Sequence, residues 1–197
     1  PRLANALTHG PLGRAIMQAL GLAALPALDT LDLRSEAARR GVRVATPEAL
    51  RALDAEQRRR SVVVVQDAFS THYDAALVLD LCELLQRLGF QPWLAPYRAN
   101  GKPQHVLGLL DAFEATARQH AQALRELAGT GVELVGVDPS MTLTLRAEYV
   151  KALGAGAVPP VALVQEWLAR RLDELPQRPP QPGPAWTLLP HCTERTN

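Results

Sequence analysis

The chain has 197 residues, 47% of them hydrophobic and 21% charged, so it has the composition of an ordinary soluble globular protein and the length for one substantial core. A formal net charge of +1 argues against a protein that neutralises phosphates, because nucleic-acid binders carry a marked basic excess. No apolar run approaches the roughly 20 residues that span a bilayer; even SVVVV is closed by Gln66 and Asp67.

The first sixty residues are rich in Ala, Leu and Arg and are broken by Pro11, Pro26, Gly41 and Pro47. They predict short helices around 12–20, 34–40 and 47–58, a helical lead segment (1–60) packed on a later core. Thr46 before Pro47 is a good helix start, since the hydroxyl can cap while proline fits the first turn. The basic run Arg58 to Arg60 directly precedes a strand and reads as a solvated helix end.

From Ser61 the pattern alternates strand and helix, and residues 61–175 read as one α/β unit. SVVVV is continuously apolar, as a central strand covered on both faces should be. A helix is expected at about 73–88, stopping at Gly89, then a strand from Phe90 to Ala95 and the loop PYRANGKPQH. A longer helix at about 104–128 leads to a third strand, VELVGVD (132–138), and to a helix from Pro139 through Tyr149. Residues 161–175 read as a further helix. Strands separated by helices imply a mostly parallel sheet with helices on both faces, a Rossmann-like three-layer α/β fold preceded by a short helical segment.

Such sheets gather functional groups at the carboxyl ends of their strands. Here those ends are Asp67 to Tyr73, Arg98 to His105 and Asp138 to Ser140. The candidate site residues are Asp67, Ser70, His72, Tyr73, Asn100, Lys102, His105, Asp138 and Arg146, with Arg146 either ordering these loops beside Asp138 or Asp67, or forming an ordinary surface salt bridge. No GxSxG elbow surrounds Ser70, so hydrolysis through Ser70 and His72 is poorly supported. Pro103 stands where a P-loop needs Ser or Thr, and no GxGxxG follows SVVVV. Asn100 and Gly101 are expected to supply positive φ in a tight turn into a helix.

Residues 176–185, PQRPPQPGPA, form a proline-rich connector, and 186–197 read as the truncated start of a second repeat. VVVVQDAFSTHYD and TLLPHCTERTN both run from apolar strand to polar loop, with Cys192 at the place of Ala68. With no Met before Pro1 and an opened unit at the other end, the chain reads as a piece of something longer. Cys82 and Cys192 lie far apart with no CxxC, so a disulfide framework is not indicated, and Cys82 sits in a helical pattern as a buried thiol.

In order, VVVVQDAFSTHYDA, NGKPQHVLG, VGVDPSMTLTLRAEY and VQEWL, ending at HCTE, resemble the C-terminal part of the large bacterial FAD- and iron–sulfur-dependent D-2-hydroxyacid oxidoreductases, the D-2-hydroxyglutarate dehydrogenase type. More distantly the unit is similar to the cysteine-rich CCG domain of heterodisulfide reductase, of anaerobic glycerol-3-phosphate dehydrogenase and of glycolate oxidase iron–sulfur subunits. The resemblance implies an early cysteine and a later Cys-Cys-Gly in each repeat, able to hold an iron–sulfur cluster. Here Ala68 and Ala99-Asn100-Gly101 stand at those places, so this is a degenerate repeat with no catalytic residue and no cofactor of its own. It also implies that Cys192 is a metal ligand only in the intact parent. The parent would use FAD and an iron–sulfur cluster to oxidise a D-2-hydroxyacid and pass electrons to an acceptor at the membrane. Its partners would be the FAD and ferredoxin-like domains of the remaining chain, in the cytoplasm or at the inner face of the membrane. Two other readings stand beside it: a docking module whose carboxyl-edge loops grip a partner or acceptor, and a small-anion binder using Asp67, Lys102, His105 and Arg146.

Overall fold

The computed structural model describes residues 1–23 and 26–175, together with the isolated positions 183, 185, 187 and 189. Most of the proline-rich connector and of the segment after it, Cys192 included, lies outside the described residues. Five strands form one sheet: β1 (Arg43–Val44), β2 (Ser61–Val65), β3 (Gln91–Leu94), β4 (Glu133–Gly136) and β5 (Val161–Leu163). All pair in parallel, in the spatial order β1-β3-β2-β4-β5.

Parallel neighbours cannot be joined by tight turns, so helices carry every crossover. Three helices precede the sheet or its first strand: α1 (Arg2–His9), α2 (Pro11–Ala19) and α3 (Leu33–Arg39). α4 (Pro47–Arg51) and α5 (Ala55–Arg60) link β1 to β2, and α6 (Ala68–His72) and α7 (Ala75–Arg87) link β2 to β3. α8 (Lys102–Val106) and α9 (Leu110–Ala128) lead to β4, α10 (Pro139–Arg146) and α11 (Glu148–Leu153) to β5, and α12 (Val164–Ala169) follows.

The two faces of the sheet have separate cores, because side chains alternate along a strand. On one face Val62, Val64 and Val135 pack with Leu33 and Ala37 of α3, Leu79, Cys82 and Leu85 of α7, and Trp167 of α12. On the other, Val63, Val65 and Leu134 pack with Leu50 of α4, Phe113, Ala117 and Leu124 of α9, Leu145 of α10 and Tyr149 of α11. β2 is buried at all five positions, four of them valine, and Ser61 at its start accepts from Trp93 Nε1 at 3.2 Å.

The three-layer parallel architecture agrees with the sequence, and Thr46 caps α4 with its hydroxyl as expected, accepting from Ala49 N. Several details differ. The lead segment contributes a strand, β1, whose two residues are too few to show a period. Residues 161–163 are a strand rather than the start of a helix; VAL fits either pattern, and the helix begins only at Val164. The helix expected over 104–128 breaks at Gly108, whose φ is 74°, and the one expected through Tyr149 breaks at Ala147. Of the pair Asn100-Gly101, only Gly101 has positive φ, at 74°.

One reversal of direction across the sheet positions the candidate site. The chain steps from β2 to β3 on one side and then crosses over β2 to β4 on the other, so the loops leaving these three strands meet at one carboxyl edge. Gly136 ends β4 where a Cβ would lie 2.0 Å from Thr142 Oγ1, which lets α10 start tight against the sheet.

Candidate functional site

At the end of β2, Asp67 is 6% exposed and caps α6. Its carboxylate accepts from Phe69 N at 2.8 Å, from Ser70 N at 2.9 Å and from Ser70 Oγ at 2.6 Å. The Ser70 hydroxyl therefore serves the cap, and no histidine is its base. His72 lies at the other end of α6, its ring edge-on to Tyr97 with centroids 4.8 Å apart. Its carbonyl accepts from Asp29 N at 2.7 Å, which ties the lead segment to this edge. Tyr73 follows, partly exposed against Phe69.

Asn100 is the hub of the loop after β3. Its Oδ1 accepts from Lys102 N at 3.1 Å, its Nδ2 lies 3.1 Å from Met141 Sδ, and its carbonyl accepts from Tyr149 Oη at 2.8 Å. Because the Tyr149 proton is committed to Asn100, the phenol oxygen must accept from His120 Nδ1, 3.0 Å away, which fixes the histidine as the Nδ1–H tautomer. His120 is 4% exposed, and burial, with the charge of Arg98, lowers its pKa to about 4. Burial likewise pushes the Tyr149 phenol up. Both groups are neutral, and the chain from His120 to Asn100 is a buried strut.

Lys102 Nζ meets Glu148 Oε1 at 2.7 Å, with both side chains 21% exposed. Burial acts to raise Glu148, and the hydrogen bond from Lys102, a backbone hydrogen bond and the charges of Lys102 and His105 together outweigh it, leaving the carboxyl below its ordinary value. His105 packs on Phe113 with ring centroids 4.9 Å apart. Asp138 caps α10, accepting from Met141 N at 2.8 Å. Gly101 starts α8 in the left-handed region, where a Cβ would fall 2.9 Å from the Phe113 ring.

The loops at 67–73 and 98–105 do converge. Asp67 and Asn100 line one cavity with Gln66, His120, Met141 and Thr142, of about 10 Å³. That is the scale of a single water molecule. Lys102 and His105 follow Asn100 on α8 and Asp138 caps α10, whereas His72 lines a separate cleft with Thr71, Pro96 and Tyr97.

Arg146 is not brought to it. It closes the last turn of α10, about 12 Å of helix from Asp138, and it spans the open side of β5. Its Nε and Nη2 donate to Val161 O at 3.1 and 2.9 Å, and its guanidinium pairs with Glu166. Glu166 in turn accepts from Leu163 N at 3.0 Å and is held below the usual carboxylate range by Arg146. Val161 and Leu163 are two residues apart and face the same edge, so one ion pair covers an outward carbonyl and an outward N–H of β5. The four residues of the anion-binding reading do not form one site.

Sequence reasoning missed His120, Tyr149 and Met141. His120 lies on the buried stripe of α9 with Phe113, Ala117, Ala121 and Leu124, and a histidine on an otherwise apolar stripe was the available signal.

The residues present do not fit an iron–sulfur cluster, which needs several thiolates in one place. Among the described residues no three His, Cys, Asp or Glu side chains come together. Cys82 is buried in α7, its thiol pushed up to about 12 by burial. Nor does the carboxyl end of β2 fit the phosphates of a flavin dinucleotide, since the strand runs into Gln66-Asp67-Ala68 with no glycine-rich turn.

No family model and no solved structure matches the chain. It is 41% identical over 198 residues to the D-2-hydroxyglutarate dehydrogenase of Pseudomonas putida and 39% identical over 198 residues to that of Escherichia coli, covering 100% of this chain and 19% of each relative. To that of Haemophilus influenzae it is 34% identical over 189 residues, covering 92% of this chain and 18% of the relative. The chain thus spans about a fifth of the length of these relatives, and over that stretch it is similar to D-2-hydroxyglutarate dehydrogenases.

Proposed function

We propose that the chain is a non-catalytic α/β domain, a degenerate CCG-type repeat, of an oxidoreductase that oxidises a D-2-hydroxyacid. The observation that carries this reading is the filled carboxyl edge: Asp67 and Asp138 are spent on helix caps, Lys102 on Glu148, and Asn100 on the loop itself. These four polar groups already have protein partners. Gly101 supports the CCG comparison, because its backbone requires glycine although the two residues before it are Ala99 and Asn100.

In the parent, FAD would supply the hydride chemistry and iron–sulfur centres the onward electron transfer, both outside the residues described. Cys192 would be one thiolate ligand in the second repeat. The parent would work in the cytoplasm and deliver electrons at the inner face of the membrane; no described helix is long and apolar enough to cross one.

The test uses a chain continued past Asn197 through the second repeat, purified anaerobically, with iron analysis and EPR. Bound iron that disappears on Cys192→Ala is expected, together with no D-2-hydroxyacid turnover by residues 1–197 alone. A folded, continued chain without iron, or turnover by residues 1–197, would overturn the reading.

A further inference from the structure

Between α8 and α9 the backbone folds into a tight knuckle. Leu107 N donates to Pro103 O at 3.0 Å, Gly108 N to His105 O at 3.0 Å, Leu109 N to Gln104 O at 2.9 Å and Leu110 N to Gly108 O at 3.0 Å. Gly108 makes the corner with its positive φ. Held in this way, the segment presents Val106, Leu107, Leu109 and Leu110 to solvent at 72, 73, 55 and 60% exposure.

Scattered exposed leucines are ordinary, but four adjacent large apolar side chains on one ordered turn mark an interaction surface. The backbone bonds fix the presentation in advance, so little ordering remains to oppose association. The surroundings suit an apolar contact with a polar rim: Lys102 is neutralised by Glu148 on one side, and Asp111 and Glu114 begin α9 on the other.

We infer that the knuckle at 106–110 is an intramolecular docking surface, covered by an apolar face of the rest of the same polypeptide. This rests on reading the chain as one domain of a longer oxidoreductase. The relatives are about five times as long as the aligned stretch, so most of their chain lies outside it. A tethered domain meets the knuckle at high effective concentration, which a modest apolar contact needs in order to stay closed.

The experiment is hydroxyl-radical footprinting of the intact parent, native and urea-unfolded, without lipid and at two protein concentrations. Leu107 and Leu109 are expected to react roughly tenfold more slowly in the native protein, equally at both concentrations, and in a Leu107→Asp, Leu109→Asp variant the neighbouring Val106 and Leu110 are expected to lose their protection. Native reactivity close to the unfolded value would overturn the proposal. Protection that grows with concentration would assign the surface to a second copy, and protection appearing only with phosphatidylglycerol vesicles would assign it to lipid; either result overturns it. Iron content and D-2-hydroxyacid turnover of the same preparation test the proposed function separately, and their absence would leave the docking result standing.

Discussion

The polar residues at the carboxyl edge and those at the open side of β5 both satisfy backbone groups, but in different surroundings. His120, Tyr149 and Asn100 form their strut where His120 and Tyr149 are 4 and 0% exposed. Arg146 and Glu166 form theirs with side chains 35 and 42% exposed. In the first place a missing partner leaves a desolvated donor or acceptor, and in the second water takes the vacancy. Similar hydrogen bonds should therefore differ several-fold in what their removal costs.

Acid should break the comparison most sharply. His120 has its pKa lowered from 6.5 to about 4, so the folded state binds the proton less readily than the unfolded one. Its contribution is fully present above about pH 6.5 and is lost as pH falls toward 4, on the order of 3 kcal/mol in total. Urea midpoints measured from pH 7 to 4 should fall along that window, and His120→Gln should flatten the slope; an unchanged slope would refute the buried neutral histidine.

Tyr149→Phe comes next. It removes the donor to Asn100 O and the acceptor of His120 Nδ1–H while keeping the ring against Phe113. A loss of about 2 kcal/mol is expected, and combining it with His120→Gln should cost less than the sum of the two. Full additivity would mean that the groups do not act as one strut.

The smallest effect on stability belongs to Arg146→Ala, at about 0.5 kcal/mol. Its larger consequence is for association, because Val161 O loses its donors and the sheet edge keeps only the bond from Leu163 N to Glu166. Sedimentation velocity should show increased self-association at unchanged secondary structure. A monodisperse variant would show that the ion pair does not guard the edge.

The parts of this site legible in the sequence are those set by long, unambiguous patterns. SVVVV and VELVGVD fix two central strands, and strand–helix alternation then fixes which loops share an edge, so Asp67 and Asn100 could be placed together. β1 and β5, with two and three residues, are too short to display a period. Periodicity assigns His120 to the interior, but its partner lies 29 residues away and belongs to a helix whose start is masked by the preceding one. Of the two readings of Arg146 the ordinary salt bridge is the one found, with Glu166, because a helix of 8 residues carries its end away from the edge where it begins.

The strand order has a consequence for synthesis. β2 emerges early but receives its second neighbour, β4, only some seventy residues later. At about 5–20 residues per second, that leaves an unpaired side of SVVVV for several seconds on the ribosome. A nascent chain so arranged is a natural client for a chaperone that shields apolar strands until the crossover helix α9 has been made.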